Sequence, residues 1–108
     1  KYKQYYTALT DILRVYIAGR WGVGALEMTT DEIITALREV ELTLDSRSNL
    51  VSIMRTADMV KFAKAEPDAE QNEDNFNMAY YFVENTKPQT DPANEGKQEI
   101  TIDTNIEE

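Results

Sequence analysis

Between Tyr2 and Trp21 the apolar side chains Tyr2, Tyr5, Tyr6, Leu9, Ile12, Leu13, Tyr16 and Ile17 recur at steps of three and four. That spacing gathers side chains on one face of an α-helix; a half-buried strand would alternate them instead. The pattern returns in Ile33, Ile34, Leu37 and Val40, again in Leu50, Ile53, Met54, Ala57 and Val60, and again in Phe76, Ala79, Tyr80 and Val83. Four such stretches predict an all-α fold, a compact four-helix domain over residues 1–86 with helices at about 2–21, 30–41, 48–65 and 68–85. The expected core is Leu9, Ile12, Leu13, Tyr16, Ile33, Leu37, Leu50, Ile53, Met54, Ala57, Phe76, Tyr80 and Val83, with Phe62 or Ala63 turned inward near the end of the third helix.

Local chemistry sets the expected boundaries. Gly19, Gly22 and Gly24 end the first helix, because glycine enters the left-handed conformation without a Cβ penalty. Thr29-Thr30-Asp31-Glu32 has the spacing of a capping box, with Thr29 as the N-cap and Glu32 reaching back. Ser46 or Ser48 is the expected cap of the third helix, and Leu42-Thr43-Leu44-Asp45 a connector. Pro67 ends that helix, since the residue before proline is biased out of helical geometry. Pro67 and Asp68 then suit the opening of the fourth. From Lys87 on, Pro88, Pro92, Gly96 and many polar residues leave too few apolar side chains to offset ordering entropy. Residues 87–108 therefore read as a disordered acidic tail, with Ile100-Thr101-Ile102 its one alternating stretch.

The residue inventory closes off most chemistries. The 108 residues include no Cys and no His. Disulfides, thiolate metal sites, cysteine nucleophiles and the usual neutral-pH general base are thereby excluded. Eleven basic and 20 acidic residues give a net charge of −9, which disfavours broad attraction to nucleic acid. Gly19-Arg20-Trp21-Gly22-Val23-Gly24 lacks the Gly-Lys-Ser/Thr ending of a phosphate loop. Gly19 to Gly22 match the Gly-x-x-Gly of a KH loop, but the three-stranded sheet of a KH domain is missing; helix termination and close packing explain the cluster better. A calcium loop starting at Asp91 would need ligands where Ala93 and Ile102 stand. We therefore expect no enzyme, no cofactor and no metal site. A helix-turn-helix spanning residues 29–41 and the third helix is the alternative function. It would present Arg47, Asn49, Arg55, Lys61 and Lys64 to DNA, but these are spread around their helix in an acidic chain.

Three blocks of sequence resemble one family. Tyr5-Tyr6-Thr7, Asp11-Ile12-Leu13-Arg14, Tyr16, Arg20-Trp21-Gly22 and Ala25-Leu26-Glu27-Met28-Thr29-Thr30-Asp31-Glu32-Ile33 form the first. Ala57-Asp58-Met59-Val60-Lys61-Phe62-Ala63-Lys64 with Pro67 is the second, and Phe82-Val83-Glu84-Asn85-Thr86-Lys87-Pro88 the third. Together they resemble the cytosolic helical domain of uncharacterised Bacteroidetes inner-membrane proteins. The resemblance implies a position after a transmembrane helix, at the cytoplasmic face of the inner membrane. It also implies a neighbourhood of MoxR-type ATPases and von Willebrand factor A proteins of the Bacteroides aerotolerance (Bat) type, and it assigns no catalytic residues. The chain starts at Lys1 rather than Met and holds no apolar window long enough to span a membrane, so it reads as a non-spanning piece of a protein that does span.

The expected function is a non-catalytic protein-interaction domain of the adaptor or regulatory kind, binding a protein and not nucleic acid. The candidate interaction surface is Arg20, Trp21, Met28, Lys61 and Lys64, because Trp and Arg are enriched at binding hot spots. Within it the loop Trp21–Met28 has a competing and preferred role. Trp21, Val23, Ala25, Leu26 and Met28 are expected to fold inward as a cap on the core, since a small domain needs every apolar residue it can bury.

Overall fold

A computed structural model describes residues 2–88. The expected tail, apart from Lys87 and Pro88, and the alternating stretch at 100–102 lie outside the described residues. Among those residues the fold is all-α. Helix α1 spans Tyr2–Trp21, a 3-10 turn spans Ala25–Glu27, α2 spans Thr30–Ala36, α3 spans Leu44–Ala63 and α4 spans Ala69–Thr86.

The caps explain these limits. Gly22 stops α1 at φ +72°, its amide donating to Ala18 O at 2.9 Å, a conformation that favours glycine. Gly19, in contrast, is an ordinary helical residue, and a Cβ at Gly19, Gly22 or Gly24 would meet nothing within 4 Å. The expected close packing at this cluster is absent. Thr29 and Glu32 form the expected capping box, and Asp68 with Gln71 forms a second one at α4. Helix α3 begins earlier than expected: Thr43 is its N-cap, accepting from the Ser46 amide at 3.0 Å, and Ser46 itself is buried. Helix α2 stops earlier than expected. After Ala36 the amides of Arg38 and Val40 bond three residues back, to Thr35 O and Leu37 O. Arg47 of α3 then bonds the carbonyls of this turn, donating to Leu37 O at 3.1 Å and Val40 O at 2.8 Å.

Residues 64–68 link α3 to α4, a connection short enough to make them antiparallel neighbours. Cross-links set the direction of α1 against α4. Tyr6 bonds to Asn72 and Asn75, Tyr16 to Val83 and Thr86, and Arg20 to Thr86. Partner numbers rise together, so α1 and α4 run parallel, and α3 runs antiparallel to both. The core gathers Tyr6, Leu9, Leu13 and Ile17 from α1, Ala25, Ile33 and Leu37 around α2, Leu50, Ile53, Met54, Ala57 and Val60 from α3, and Ala79 and Phe82 from α4.

Several expected core residues lie elsewhere. Ile12 is 64% exposed, Phe76 and Tyr80 are each 51% exposed, Phe62 is 79% exposed, and Ala63, the alternative inward residue, is exposed as well. Tyr16 and Val83 are half-buried against the core. In α4 the buried face is Asn75, Ala79, Phe82 and Thr86. It is rotated from the expected Phe76–Ala79–Tyr80–Val83 stripe because Asn75 and Thr86 supply hydrogen bonds that α1 requires. Tyr6 is fully buried, and a buried hydroxyl needs partners.

Candidate interaction surface

The candidate residues divide between the two ends of α3. Arg20 and Trp21 share a small cleft with Thr43 and Ser46, at the start of α3, and with Thr86 and Lys87, at the end of α4. Lys61 and Lys64 stand at the other end of α3, about 25 Å away at 1.5 Å per residue, so the five do not form one patch. Trp21 packs edge-on to Tyr16 with ring centroids 6.0 Å apart and tilts over Phe82 at 6.1 Å. The Arg20 guanidinium lies 5.3 Å from the Trp21 ring centre and donates to Thr86 O at 2.7 Å. Such a bond satisfies a last-turn carbonyl and complements the negative end of the α4 dipole. Met28 is half-buried, and its carbonyl receives Arg14 at 3.3 Å. The Trp21–Met28 loop folds inward, as expected, except that Leu26 is exposed. Lys64 caps α3 in the left-handed conformation, at φ 58°. Lys61 Nζ stands 5.9 Å from the exposed Phe62 ring.

The same contacts bear on the helix-turn-helix alternative. Arg47 is committed to the end of α2, and Arg55 pairs with Asp31 at 2.7 Å. Residues 37–43 separate α2 from α3, longer than the three- or four-residue turn of that motif.

An unexpected surface runs along the outer seam of the parallel pair α1 and α4. Tyr2, Tyr5, Asn72, Glu73 and Phe76 line an open groove of 640 Å³ at its start. The steady offset of 66–70 residues between hydrogen-bonded partners across the pair sets exposed Ile12 level with exposed Tyr80 farther along. Under this surface lies a polar strut. Tyr6 Oη donates to Asn72 Oδ1 at 2.7 Å and accepts from Asn75 Nδ2 at 3.2 Å, while Asn75 Nδ2 also donates to Gln71 O at 2.9 Å. Burial pushes the Tyr6 phenol above its usual value of 10.0; the Asn75 hydrogen bond opposes that rise and the neighbouring Tyr5 adds to it. Farther along, the Thr86 hydroxyl donates to Phe82 O at 2.7 Å and therefore accepts from Tyr16 Oη at 2.9 Å.

The aromatic steps in α1 and α4 were visible in the sequence, but the hydrogen-bond demands that turn Phe76 and Tyr80 outward were not. The pairing of Tyr6 and Tyr16 with Asn75 and Thr86 was the available signal: buried phenols need polar residues on the facing helix. A second cleft, of 440 Å³, lies at the α3–α4 turn between Ser52, Thr56, Glu66, Gln71 and Asp74. Among the described residues no group of three or more Asp or Glu is arranged to hold a metal ion, and no helix is long and apolar enough to cross a membrane. Comparison with protein-family models, curated proteins and solved structures finds no match to the chain.

Proposed function

We propose that this is a non-catalytic protein-interaction domain of the adaptor or regulatory kind, held at the cytoplasmic side of a membrane-anchored protein. The observation that carries the interaction role is the exposed apolar seam. Tyr2, Tyr5, Ile12, Phe76 and Tyr80 remain open on two adjacent helices, in a chain small enough to need its apolar residues inside. Contiguous apolar surface of this kind marks sites of association, and Tyr is among the residues enriched at interface centres. The membrane-side placement, and a MoxR-type ATPase or von Willebrand factor A protein as partner, are supported by the family resemblance.

The test is recovery of partners from membranes with the full-length protein. The proposal expects the ATPase or the von Willebrand factor A protein to be recovered. It also expects recovery to fall at least tenfold with Tyr5→Ser or Phe76→Ser, at unchanged helicity. Recovery of neither protein contradicts the partner assignment; recovery indifferent to both substitutions contradicts the seam as the contact.

A further inference from the structure

Which kind of partner fits the seam follows from the charge around it. Glu73 is itself a wall of the aromatic groove. Glu70, three residues before Glu73 and so on the same side of α4, is also exposed, whereas Glu66 and Asp74 line the cleft at the α3–α4 turn; among the described residues neither Glu70 nor Glu73 has a cation within 4 Å. Lys3, the nearest described cation in sequence on α1, is two residues and hence about 200° around the helix from Tyr5, so it does not offset Glu73 across the groove. The start of the seam thus combines an apolar floor with an acidic rim at Glu70 and Glu73.

Two occupants are disfavoured by that rim. A second copy of the chain would bring another net charge of −9 and set one acidic rim against another. The chain's own residues 89–108 carry Asp91, Glu95, Glu99, Asp103, Glu107 and Glu108 against Lys97 alone, and would be repelled in the same way. A cationic occupant has the complementary charge.

Shape selects its form. The line from Tyr2 to Ile12 covers ten residues of helix, about 15 Å, between two parallel helices. A groove between helices accepts the apolar face of another helix, read at i, i+3, i+4 and i+7. Aromatic floors also hold the aliphatic stems and charged heads of Lys and Arg. Resting on the interaction-domain reading, we infer that the α1–α4 seam is the docking site for a cationic amphipathic helix of about three turns, supplied by a partner protein. Its apolar face covers Tyr5, Ile12, Phe76 and Tyr80, and its Lys or Arg residues meet Glu73 and Glu70.

The experiment is an amide-resolved NMR titration of the full chain with three synthetic peptides: a 14-residue Leu/Lys amphipathic helix, its Leu/Glu counterpart, and a Lys-only peptide of equal positive charge. The Leu/Lys peptide is expected to saturate, with shifts confined to residues 2–12 and 72–80. The other two should bind at least tenfold more weakly. Phe76→Ser and Glu73→Lys, both at exposed positions, should each weaken the Leu/Lys peptide at least tenfold while leaving the helical spectrum unchanged. Equal binding of the Leu/Glu peptide, shifts centred away from the seam, wild-type affinity in Phe76→Ser, or self-association through these residues in sedimentation would each overturn the assignment. If these peptides ignore the seam while membrane partners are still recovered, the interaction domain stands and the docking site falls. If the peptides bind as expected and no membrane partner is recovered, the docking chemistry stands and the named partners fall.

Discussion

Phe82 and Phe76 are six residues apart on one helix and have opposite fates. Phe82 is fully buried between Tyr16 and Trp21, whereas Phe76 is half exposed in the groove. Replacing Phe82 with Ala should cost about 3–5 kcal/mol, the range for emptying an aromatic site in a core. Phe76→Ala should stay within about 1 kcal/mol, as expected for a partly exposed position. Urea unfolding of the two variants checks this, and equal losses would show that the face of α4 is wrongly placed. Tyr6 gives a pH prediction. Its phenol is held protonated in the fold by burial. Above a pH of about 10 the unfolded chain releases that proton more readily than the folded one does. Stability present below that pH is therefore lost as pH rises through the folded value. Tyr6→Phe should flatten this alkaline loss in a series of unfolding curves, although it leaves Asn72 and Asn75 without their shared partner and lowers stability at neutral pH. An alkaline limb unchanged from wild type would contradict the buried phenol.

At the scale of elements, the ends of the helices carry testable energies. Thr43→Ala should cost about 1 kcal/mol, since the Ser46 amide loses its acceptor. Lys64→Gly should instead add roughly 0.5–1 kcal/mol, because a left-handed φ of 58° penalises a Cβ that glycine lacks. Thermal unfolding of both variants checks the signs, and a destabilised Lys64→Gly would mean that the α3 end is not left-handed. These ends also show what was legible in the sequence. The Thr29–Glu32 box was readable because both of its bonds are written in adjacent residues. Thr43 was not, because Ser46 and Ser48 compete as caps and no Glu or Gln stands three residues on. The early end of α2 was equally hidden: it depends on Arg47, in another helix, reaching Leu37 and Val40. Periodicity read helix existence correctly, and α1 to the residue, because each helix buries a face of its own. Where two faces were nearly equally apolar, as in α4, the choice depended on hydroxyls in α1. The seam followed from that choice and so could not be read from α4 alone.

For the whole molecule, the parallel pairing of α1 and α4 organises the fold and the proposed binding seam. Its cross-links are polar: the Tyr6–Asn72–Asn75 strut at one end and Tyr16 and Arg20 on Thr86 at the other. Polar fastening beneath leaves the aromatic and aliphatic side chains of the outer seam exposed. The sequence leaves two roles open at Arg20 and Trp21, fastening the fold or meeting a partner; both side chains show packing or bonding within the fold, while Tyr5 and Phe76 remain exposed. Arg20→Glu should therefore lower stability by about 1 kcal/mol through loss of its bond to the α4 end, and leave seam binding intact in the folded fraction. The most direct measurement is photo-crosslinking in the native cell, with a benzophenone side chain at position 76 of the full-length protein and a control at Leu44, which is more exposed and lies at the opposite end of the fold. The expected result is an adduct at 76 and none at 44, with the crosslinked peptide mapping to a Lys- or Arg-rich amphipathic helix of another protein. No adduct at 76, an equal yield at 44, or an adduct to a second copy of this chain would contradict the seam as the binding surface.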